Sequence, residues 1–93
     1  MKKPTRLPDI SLVESNFTYD PVEGVLYSRH GNKLGHQEKS SGAVKVRCGR
    51  RTVTIQRICW FLYYREDPIN YMIEHIDGNQ HNNRIENLRK VKL

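Results

Sequence analysis

The sequence has few cysteines, no long apolar run and no excess of acidic charge, and each shortage excludes a class of protein. The two cysteines, Cys48 and Cys59, do not have the Cys-x-x-Cys spacing of zinc and redox motifs, and they are too few for a disulfide scaffold. The longest apolar run, residues 58–64, falls far short of the ~20 residues of a membrane span. Met1 is followed by mixed polar sequence rather than by the apolar stretch of a secretion signal. We therefore expect a cytoplasmic protein without membrane contact, in which both thiols are buried and reduced.

The length of 93 residues predicts one small domain, since domains commonly contain ~100–150 residues. A domain of this size buries only about two thirds of the surface of its unfolded chain. The sequence is 37% hydrophobic and includes five Tyr, two Phe and one Trp, which can form a core. We therefore predict a small, marginally stable fold rather than a disordered chain.

The net charge of +6 arises in the middle of the sequence. Residues 21–60 carry eight positive and two negative side chains, whereas the segments before and after them are balanced. Such a concentration of basic charge favours a polyanionic partner, because each neutralised phosphate releases a counterion. The alternative is a solvated basic surface that binds nothing.

The first third of the sequence predicts a tail, a short helix and a hairpin. Asp9 can cap a helix that continues to about Ser15. Residues 17–19 and 25–27 are strand formers on either side of a turn that contains Pro and Gly, which is typical of a β-hairpin. Residues 30–42 are rich in Gly, Ser, Lys and Asn without periodicity, and they predict an exposed loop.

A second hairpin is predicted over residues 44–55. Apolar and basic residues alternate before its turn, so one face is expected to be apolar and the other basic. Basic side chains on a strand face or a tight turn can reach phosphates or base edges of DNA. We interpret five basic residues of this region as DNA-binding: Lys45, Arg47, Arg50, Arg51 and Arg57. The alternative role of such charges is to protect strand edges from pairing.

Residues 56–66 change to helical spacing. Ile58, Cys59, Leu62 and Tyr63 fall on one stripe, and the residue before Pro68 avoids the helical conformation. We predict a scaffold helix whose aromatic residues pack in the core rather than stack on bases.

The last third of the sequence concentrates residues that can carry chemistry. Residues 71–75 and 88–91 predict two strands, joined by an Asn-rich loop with a sharp turn at Gly78. Glu74 and His75 are adjacent at the end of the first strand, where we expect an exposed imidazole. A carboxylate suits a hard divalent cation and a neutral imidazole can take a proton from water, which together fit metal-assisted phosphodiester hydrolysis. The alternative is a surface pair without a function.

The residues around this pair resemble the HNH nuclease family, specifically the branch found in phage and intron-borne homing endonucleases. The resemblance is carried by residues 74–79, EHIDGN, and residues 82–89, NNRIENLR. Gln56-Arg57 stands where the family usually has His-Arg. Weaker matches in the right order extend the resemblance to about residues 17–91, and they lie at residues 17–20, 24–27, 42–46 and 56–60.

The resemblance implies roles for three residues. His75 matches the general base that activates the attacking water. Glu74 matches the acidic ligand, often Asp, of a single divalent metal ion that is usually Mg²⁺. Asn87 matches the central Asn of the motif, which fixes the loop and orients the base. The metal would stabilise the charge that develops on the leaving 3′ oxygen.

The sequence departs from the family after Asn87. In the family a helix follows the hairpin, and its Asn or His supplies a further metal ligand. Six residues follow Asn87, enough for the returning strand, so we expect an HNH-like hairpin without the final helix of the ββα-metal fold. His81, Asn79 or Asn83 could replace the ligand, although Asn-rich loops more often form turn hydrogen bonds. The spacing excludes a calcium loop, and it does not support a zinc site on His75, His81 and the cysteines.

Together these patterns predict an α+β domain with β-hairpins, one scaffold helix and a C-terminal HNH-like hairpin. Residues 1–16 would form a tail and a short helix, and residues 17–93 the HNH-like domain. Within that domain, residues 17–66 would hold the basic hairpin and scaffold helix, and residues 69–93 the partial motif.

The leading hypothesis is a metal-dependent HNH-type endonuclease that acts on double-stranded DNA with Mg²⁺, for example in a phage-infected host cell. The runner-up is a DNA-binding protein that derives from such a nuclease and no longer cleaves. A structural or assembly protein with incidental charge is the third hypothesis.

Overall fold

The structure is a computed structural model that describes residues 9–34, 44–49 and 51–92. It has the predicted α+β fold, with two helices and several antiparallel hairpins. No helix in these ranges is long and apolar enough to cross a membrane. The elements in chain order are α1 (Ile10–Asn16), β1 (Phe17–Asp20), β2 (Val25–Ser28), β3 (Lys33–Leu34), β4 (Lys45–Cys48), β5 (Arg51–Thr54), α2 (Ile55–Tyr64), β6 (Tyr71–His75), a 3₁₀ turn (Ile85–Asn87) and β7 (Leu88–Lys92).

Helix α1 leads directly into the first hairpin, as predicted. The Asp9 side chain accepts a hydrogen bond from the amide of Ser11 and caps α1. In the β1–β2 turn, the Asp20 carboxylate accepts from the amides of Val22 and Glu23, both at 3.1 Å. These side-chain bonds close the turn that joins β1 to β2.

The segment after β2 is partly a strand, where a loop is predicted. β3 pairs with β2 in an antiparallel sheet of order β1–β2–β3, with Leu34 opposite Leu26. Leu26 is almost fully buried, and Leu34 packs against the core. The remainder of the predicted loop, residues 35–42, lies outside the described residues.

The second hairpin, β4–β5, has the predicted apolar face, and Lys45 and Arg47 lie on the opposite face. Residues that are directly opposite each other share a face, and the register pairs Val46 with Val53 and Arg47 with Thr52. Val53 is buried, whereas Lys45 and Arg47 are exposed. The strand alternation in the sequence is therefore sufficient to orient this hairpin on the core.

Helix α2 forms the centre of the core. All of its residues from Ile55 to Phe61 are buried, and it packs against α1, β1, β5 and β6. Trp60 is buried and donates its Nε1 hydrogen to Glu66 at 3.1 Å, in agreement with the predicted packing role of the aromatic residues. Tyr63 is 48% exposed and is not part of the buried stripe. The helix ends at Tyr64 because Arg65 adopts the left-handed conformation, with φ 57°, before Pro68 has any effect.

The two cysteines are buried and form no disulfide, as expected. Burial raises the pKa of the Cys48 thiol and, in the centre of α2, that of the Cys59 thiol. Both groups therefore stay protonated at neutral pH and act as small apolar core side chains.

Strands β6 and β7 form the predicted C-terminal hairpin, and α2 covers the other edge of β6. The amide of Ile76 donates to the carbonyl of Asn87 at 2.8 Å, so the even-numbered residues of β6 bond to β7. The carbonyls of odd-numbered residues point to the opposite edge, where Gln56 donates to Ile73 at 3.4 Å. Helix α2 thereby protects an edge that could otherwise pair with another chain.

The structure corrects the DNA-binding assignment of Arg57. Its side chain is buried, and its guanidinium donates to the carbonyls of Tyr71 at 2.8 Å and Pro68 at 2.5 Å. Burial lowers the pKa of Arg57, and the nearby Asp67 carboxylate, at 3.6 Å, acts in the opposite direction. Arg57 is therefore a scaffold residue that ties α2 to β6 and to the segment before it.

The loop between β6 and β7 is closed by the side chain of Asn87. Its Nδ2 donates to Asp77 Oδ1 and to the Asn82 carbonyl, both at 2.9 Å. Its Oδ1 accepts from the amide of Asp77 at 3.1 Å. Both ends of the Asn87 carboxamide are therefore used to hold the loop.

Asp77, which bonds to Asn87, accepts further hydrogen bonds within this loop. Its carboxylate also accepts from the side chain of Asn82 at 2.9 Å and from the amide of Asn79 at 2.8 Å. These bonds, with the Asn82 side chain contributing most, lower the pKa of Asp77 to about 2. The loop therefore depends on a charged Asp77.

We expect Asp77→Asn to lower stability at neutral pH and to have much less effect in acid. The pKa of Asp77 in the folded protein is below its ordinary value of 3.8, so the charged carboxylate stabilises the fold fully above about pH 4. That stabilisation is lost as the pH falls through about 2. Thermal unfolding of both proteins at several pH values measures the difference. Glu86→Gln removes a charge from the same segment and is the control, and a difference that is equal at all pH values would contradict the prediction.

Candidate active site on the C-terminal hairpin

His75 is at the end of β6 on its buried face. Ile73 and His75 are two residues apart and are both buried, because alternate residues of a strand share a face. The expectation of an exposed imidazole is therefore wrong, since His75 is only 8% exposed. Its Nε2 atom lies 2.7 Å from Oδ1 of Asn83.

Asn83 links His75 to the first hairpin. It is 5% exposed, and its backbone carbonyl accepts a hydrogen bond from the Tyr19 hydroxyl. Burial is the main cause that raises the pKa of Tyr19, so the hydroxyl keeps the proton that it donates. His75, Asn83 and Tyr19 therefore form one connected series of contacts across β6, the 76–87 loop and β1.

Glu74 lies on the other face of β6 and is paired with Arg89. The two residues are directly opposite in the β6–β7 register, and both Nε and a terminal nitrogen of Arg89 contact Glu74 Oε1. Both side chains are partly exposed. Glu74 and His75 are thus neighbours in sequence whose side chains leave the strand in opposite directions.

The described residues provide a weak donor set for a metal ion. They contain no group of three or more His, Cys, Asp or Glu side chains that could hold one. Glu74 is the carboxylate that the resemblance assigns to the metal, and one of its oxygens already contacts Arg89. Mg²⁺ is often held by one or two carboxylates together with water and substrate phosphates. The described residues fit that kind of site.

The residues considered as replacement ligands make other contacts in the loop. Asn83 contacts His75, and Asn79 Oδ1 accepts a hydrogen bond from the amide of His81 at 3.0 Å. His81 is exposed in the same loop. The Asn residues therefore serve the turn and His75, which is the role that Asn-rich loops more often have.

The residues predicted to bind DNA on the second hairpin are exposed where they are described. Lys45 and Arg47 share one face, and Arg47 Nε donates to the Gly49 carbonyl at 3.3 Å. Arg51 is exposed at the tip, opposite Cys48, and so belongs to the other face. Arg50 lies outside the described residues. The described basic side chains thus surround the tip of the hairpin instead of lining a single face.

Sequence reasoning did not identify Tyr19 and Arg89 as residues of this site, and it considered Asn83 only as a replacement metal ligand. Arg89 could have been found by pairing the two predicted strands, since that register places it opposite Glu74. Asn83 lies within the NNRIENLR stretch, but nothing in the pattern relates it to His75. Tyr19 is 64 positions away from Asn83 and gives no local signal.

Comparison with known proteins matches both this hairpin and the fold. Residues 53–92 match the HNH endonuclease family, and this range includes Glu74, His75 and Asn87. The structure is similar to that of the HNH homing endonuclease I-HmuI, a protein that binds and cleaves DNA, with 27% sequence identity and a TM-score of 0.60. The similarity covers 99% of this chain and 53% of the I-HmuI chain, so this chain spans about half the length of that protein. No curated protein matches the sequence.

The sequence match covers the hairpin that carries His75, and the structural match extends over nearly the whole chain. The predicted resemblance is therefore confirmed: residues 53–92 match the HNH endonuclease family, and the fold is similar to that of an HNH homing endonuclease.

Proposed function

We propose that this protein is an HNH-type endonuclease that hydrolyses phosphodiester bonds in double-stranded DNA. The observation that carries the proposal is that the family match contains His75, held by Asn83 at the end of β6. The similarity to I-HmuI, which binds and cleaves DNA, supports the same chemistry and partner. Because this chain spans about half of I-HmuI, both properties are extended to it here as a proposal. DNA of this kind lies inside cells, so the proposed place of action is the cytoplasm, including that of a phage-infected host.

In the proposed reaction His75 is the general base. It accepts a proton from a water molecule, the water oxygen bonds to phosphorus, and the bond from phosphorus to the 3′ oxygen breaks. The leaving oxygen takes a proton from solvent. Asn87 does not take part in proton transfer, because both ends of its carboxamide bond within the 76–87 loop. Its role is to keep that loop, and therefore Asn83, beside the imidazole.

HNH nucleases generally depend on a divalent metal, and we propose Mg²⁺ for this one. Glu74 would hold the ion together with water and DNA phosphate oxygens, as described above. The ion would stabilise the negative charge on the leaving oxygen.

The tip of the β4–β5 hairpin is the proposed DNA contact. Lys45, Arg47 and Arg51 are exposed around it, and Arg50 belongs to the same turn in the sequence. A narrow hairpin with basic side chains on both faces can contact the phosphates on both sides of a DNA groove.

A second candidate function is DNA binding without cleavage. The observation that favours it is the contact between Glu74 and Arg89, since a guanidinium occupies an oxygen that the metal would need. A plasmid-nicking assay with Mg²⁺ decides between the two functions, because a non-cleaving protein would bind the plasmid and leave it supercoiled.

We expect binding to duplex DNA to weaken steeply with salt, and the Arg47→Ala, Arg50→Ala, Arg51→Ala triple variant to reduce that dependence. Each lost phosphate contact lowers the slope of log K against log salt by ~0.9, so the slope should flatten by about 2 to 3. A fluorescence titration at several salt concentrations measures it. Arg65→Ala is the control, because it removes a positive charge outside the hairpin that pairs with Glu14. An unchanged slope in the triple variant would show that the DNA contact surface lies elsewhere on the protein.

His75→Ala should reduce plasmid nicking by at least ~100-fold and leave DNA affinity unchanged, because general bases typically contribute that much. The imidazole is buried, so the variant should also lose stability by roughly 1–3 kcal/mol, the cost of leaving the Asn83 amide unpaired. Circular dichroism separates folding from catalysis. His30→Ala, an exposed histidine in the β2–β3 turn, is the matched control. Nicking by the His75 variant at the wild-type rate would exclude it as the base.

Glu74→Ala and Arg89→Ala should move the Mg²⁺ dependence of nicking in opposite directions. Loss of Glu74 removes the carboxylate ligand and should raise the half-saturating Mg²⁺ concentration. Loss of Arg89 removes a competing cation and should lower that concentration by about 1.4- to fivefold, the equivalent of the ~0.2–1 kcal/mol of an exposed ion pair. Glu86→Ala controls for general charge. The same Mg²⁺ dependence in all variants would show that Glu74 is not a ligand.

A further inference from the structure

The contact between His75 and Asn83 determines which imidazole nitrogen is available as a base. Oδ1 of the Asn83 amide can only accept a hydrogen bond, so the 2.7 Å contact requires the proton of the neutral imidazole to be on Nε2. The lone pair is then on Nδ1. Both residues are buried, which keeps water from replacing the amide as the partner of Nε2.

Asn83 is in turn held by the first hairpin. The Tyr19 hydroxyl donates to the carbonyl of Asn83, and the amide of Ile85 donates to the carbonyl of Pro21 at 3.0 Å. These two bonds hold the segment from Asn83 to Ile85 at its two ends. They connect it to the end of β1 and to the turn that follows.

The β1–β2 turn also packs against the segment from Asn83 to Ile85. Its last residue, Gly24, lies too close to that segment to carry a side chain. A Cβ atom on Gly24 would lie 2.8 Å from the carbonyl carbon of Asn83 and closer still to the amide nitrogen of Arg84. Both are backbone atoms, which cannot move aside as the end of a flexible side chain could. The absence of a side chain at Gly24 therefore fixes how near the first hairpin comes to the loop.

We propose that Asn83 is the positioning residue of His75, which holds the imidazole with Nδ1 as its proton-accepting nitrogen, and that the first hairpin sets Asn83 through Tyr19 and Gly24. The catalytic consequence rests on the proposed nuclease function, whereas the arrangement of the imidazole does not. Orientation of a catalytic histidine by an acceptor on its second nitrogen is a general requirement for a base that must present one lone pair.

Nuclear magnetic resonance of the side-chain nitrogens tests the arrangement without any activity. In mildly alkaline buffer the wild type should show a slowly exchanging proton on Nε2 of His75. Asn83→Leu has a similar shape without the acceptor and should lose this signal, whereas Asn83→Asp keeps an acceptor oxygen and should retain it. A proton found on Nδ1, or an Nε2 signal that persists in the Leu variant, would overturn the proposal.

Nicking kinetics test the consequence. Asn83→Leu should lower kcat by about tenfold or more with little change in DNA affinity, because the base loses orientation and the binding surface is untouched. Asn83→Asp should recover most of the rate. A loss of DNA affinity without a loss of kcat would show that Asn83 acts in binding, and it would contradict the proposal. If the wild type does not nick DNA, the proposed function fails, and the resonance experiment still decides the position of the proton.

A pair of glycine variants tests the part played by the first hairpin, and it also serves if Asn83→Leu does not fold. Gly24→Ala and Gly31→Ala both place a side chain at positive φ, 71° and 86° respectively, but the Cβ of Gly31 has no atom of the described residues within 4 Å. Both variants therefore have backbone strain, but only in Gly24→Ala does the new methyl group clash with the backbone of Asn83. We expect the Nε2 proton signal of His75 to be lost or shifted in Gly24→Ala and unchanged in Gly31→Ala. An equal response of the two variants would exclude a role for the hairpin in positioning Asn83.

Discussion

In the part of the chain that the structure describes, three small sheets have to bury their apolar faces against helix α2, and this constraint determines the rest of the structure. An isolated two-stranded hairpin is at best marginally stable in water, and both β4–β5 and β6–β7 have two strands. Helix α2 supplies the shared surface, since it is buried without interruption from Ile55 to Phe61. A helix enclosed in this way has no solvent face for its polar residues, so Gln56 and Arg57 must find partners inside the domain. They find them in the backbone carbonyls of β6 and the segment before it.

The same contacts give the candidate site a rigid base. Arg57 and Gln56 bind the carbonyls of Tyr71 and Ile73, which fixes β6 up to two residues before His75. On the other strand, Lys90 of β7 contacts Glu66, which also accepts the Trp60 indole hydrogen. Hydrogen bonds to Lys90 and Trp60 lower the pKa of Glu66, the bond to Trp60 most, so its carboxylate stays charged. Both strands of the hairpin are therefore tied to α2, and functional side chains on such elements are more precisely placed than those on free loops.

The sequence predicts the elements whose signals are local and misses the environments that depend on distant residues. Alternation is enough to orient β4–β5, and helical spacing is enough to locate α2. The burial of His75 could have been predicted from the sequence, because the apolar Ile73 occupies the same face of β6. The burial of Arg57 was not, since an arginine near the start of a helix is expected to be exposed unless its partners are known. The contact of Asn83 with Tyr19 joins residues 64 positions apart, and only the packing of two hairpins brings them together.

For the proposed reaction, these contacts also limit where a phosphate can approach. Glu74 and His75 are on opposite faces of β6, so a group that contacts both must come from an edge or from the end of the strand. One edge of β6 is bonded to β7 and the other is covered by Gln56 and Arg57 of α2. The end of the strand is left, where the 76–87 loop begins. In the proposed reaction, the hydrogen bonds of Asp77 and Asn87 would keep the loop compact where the phosphate approaches.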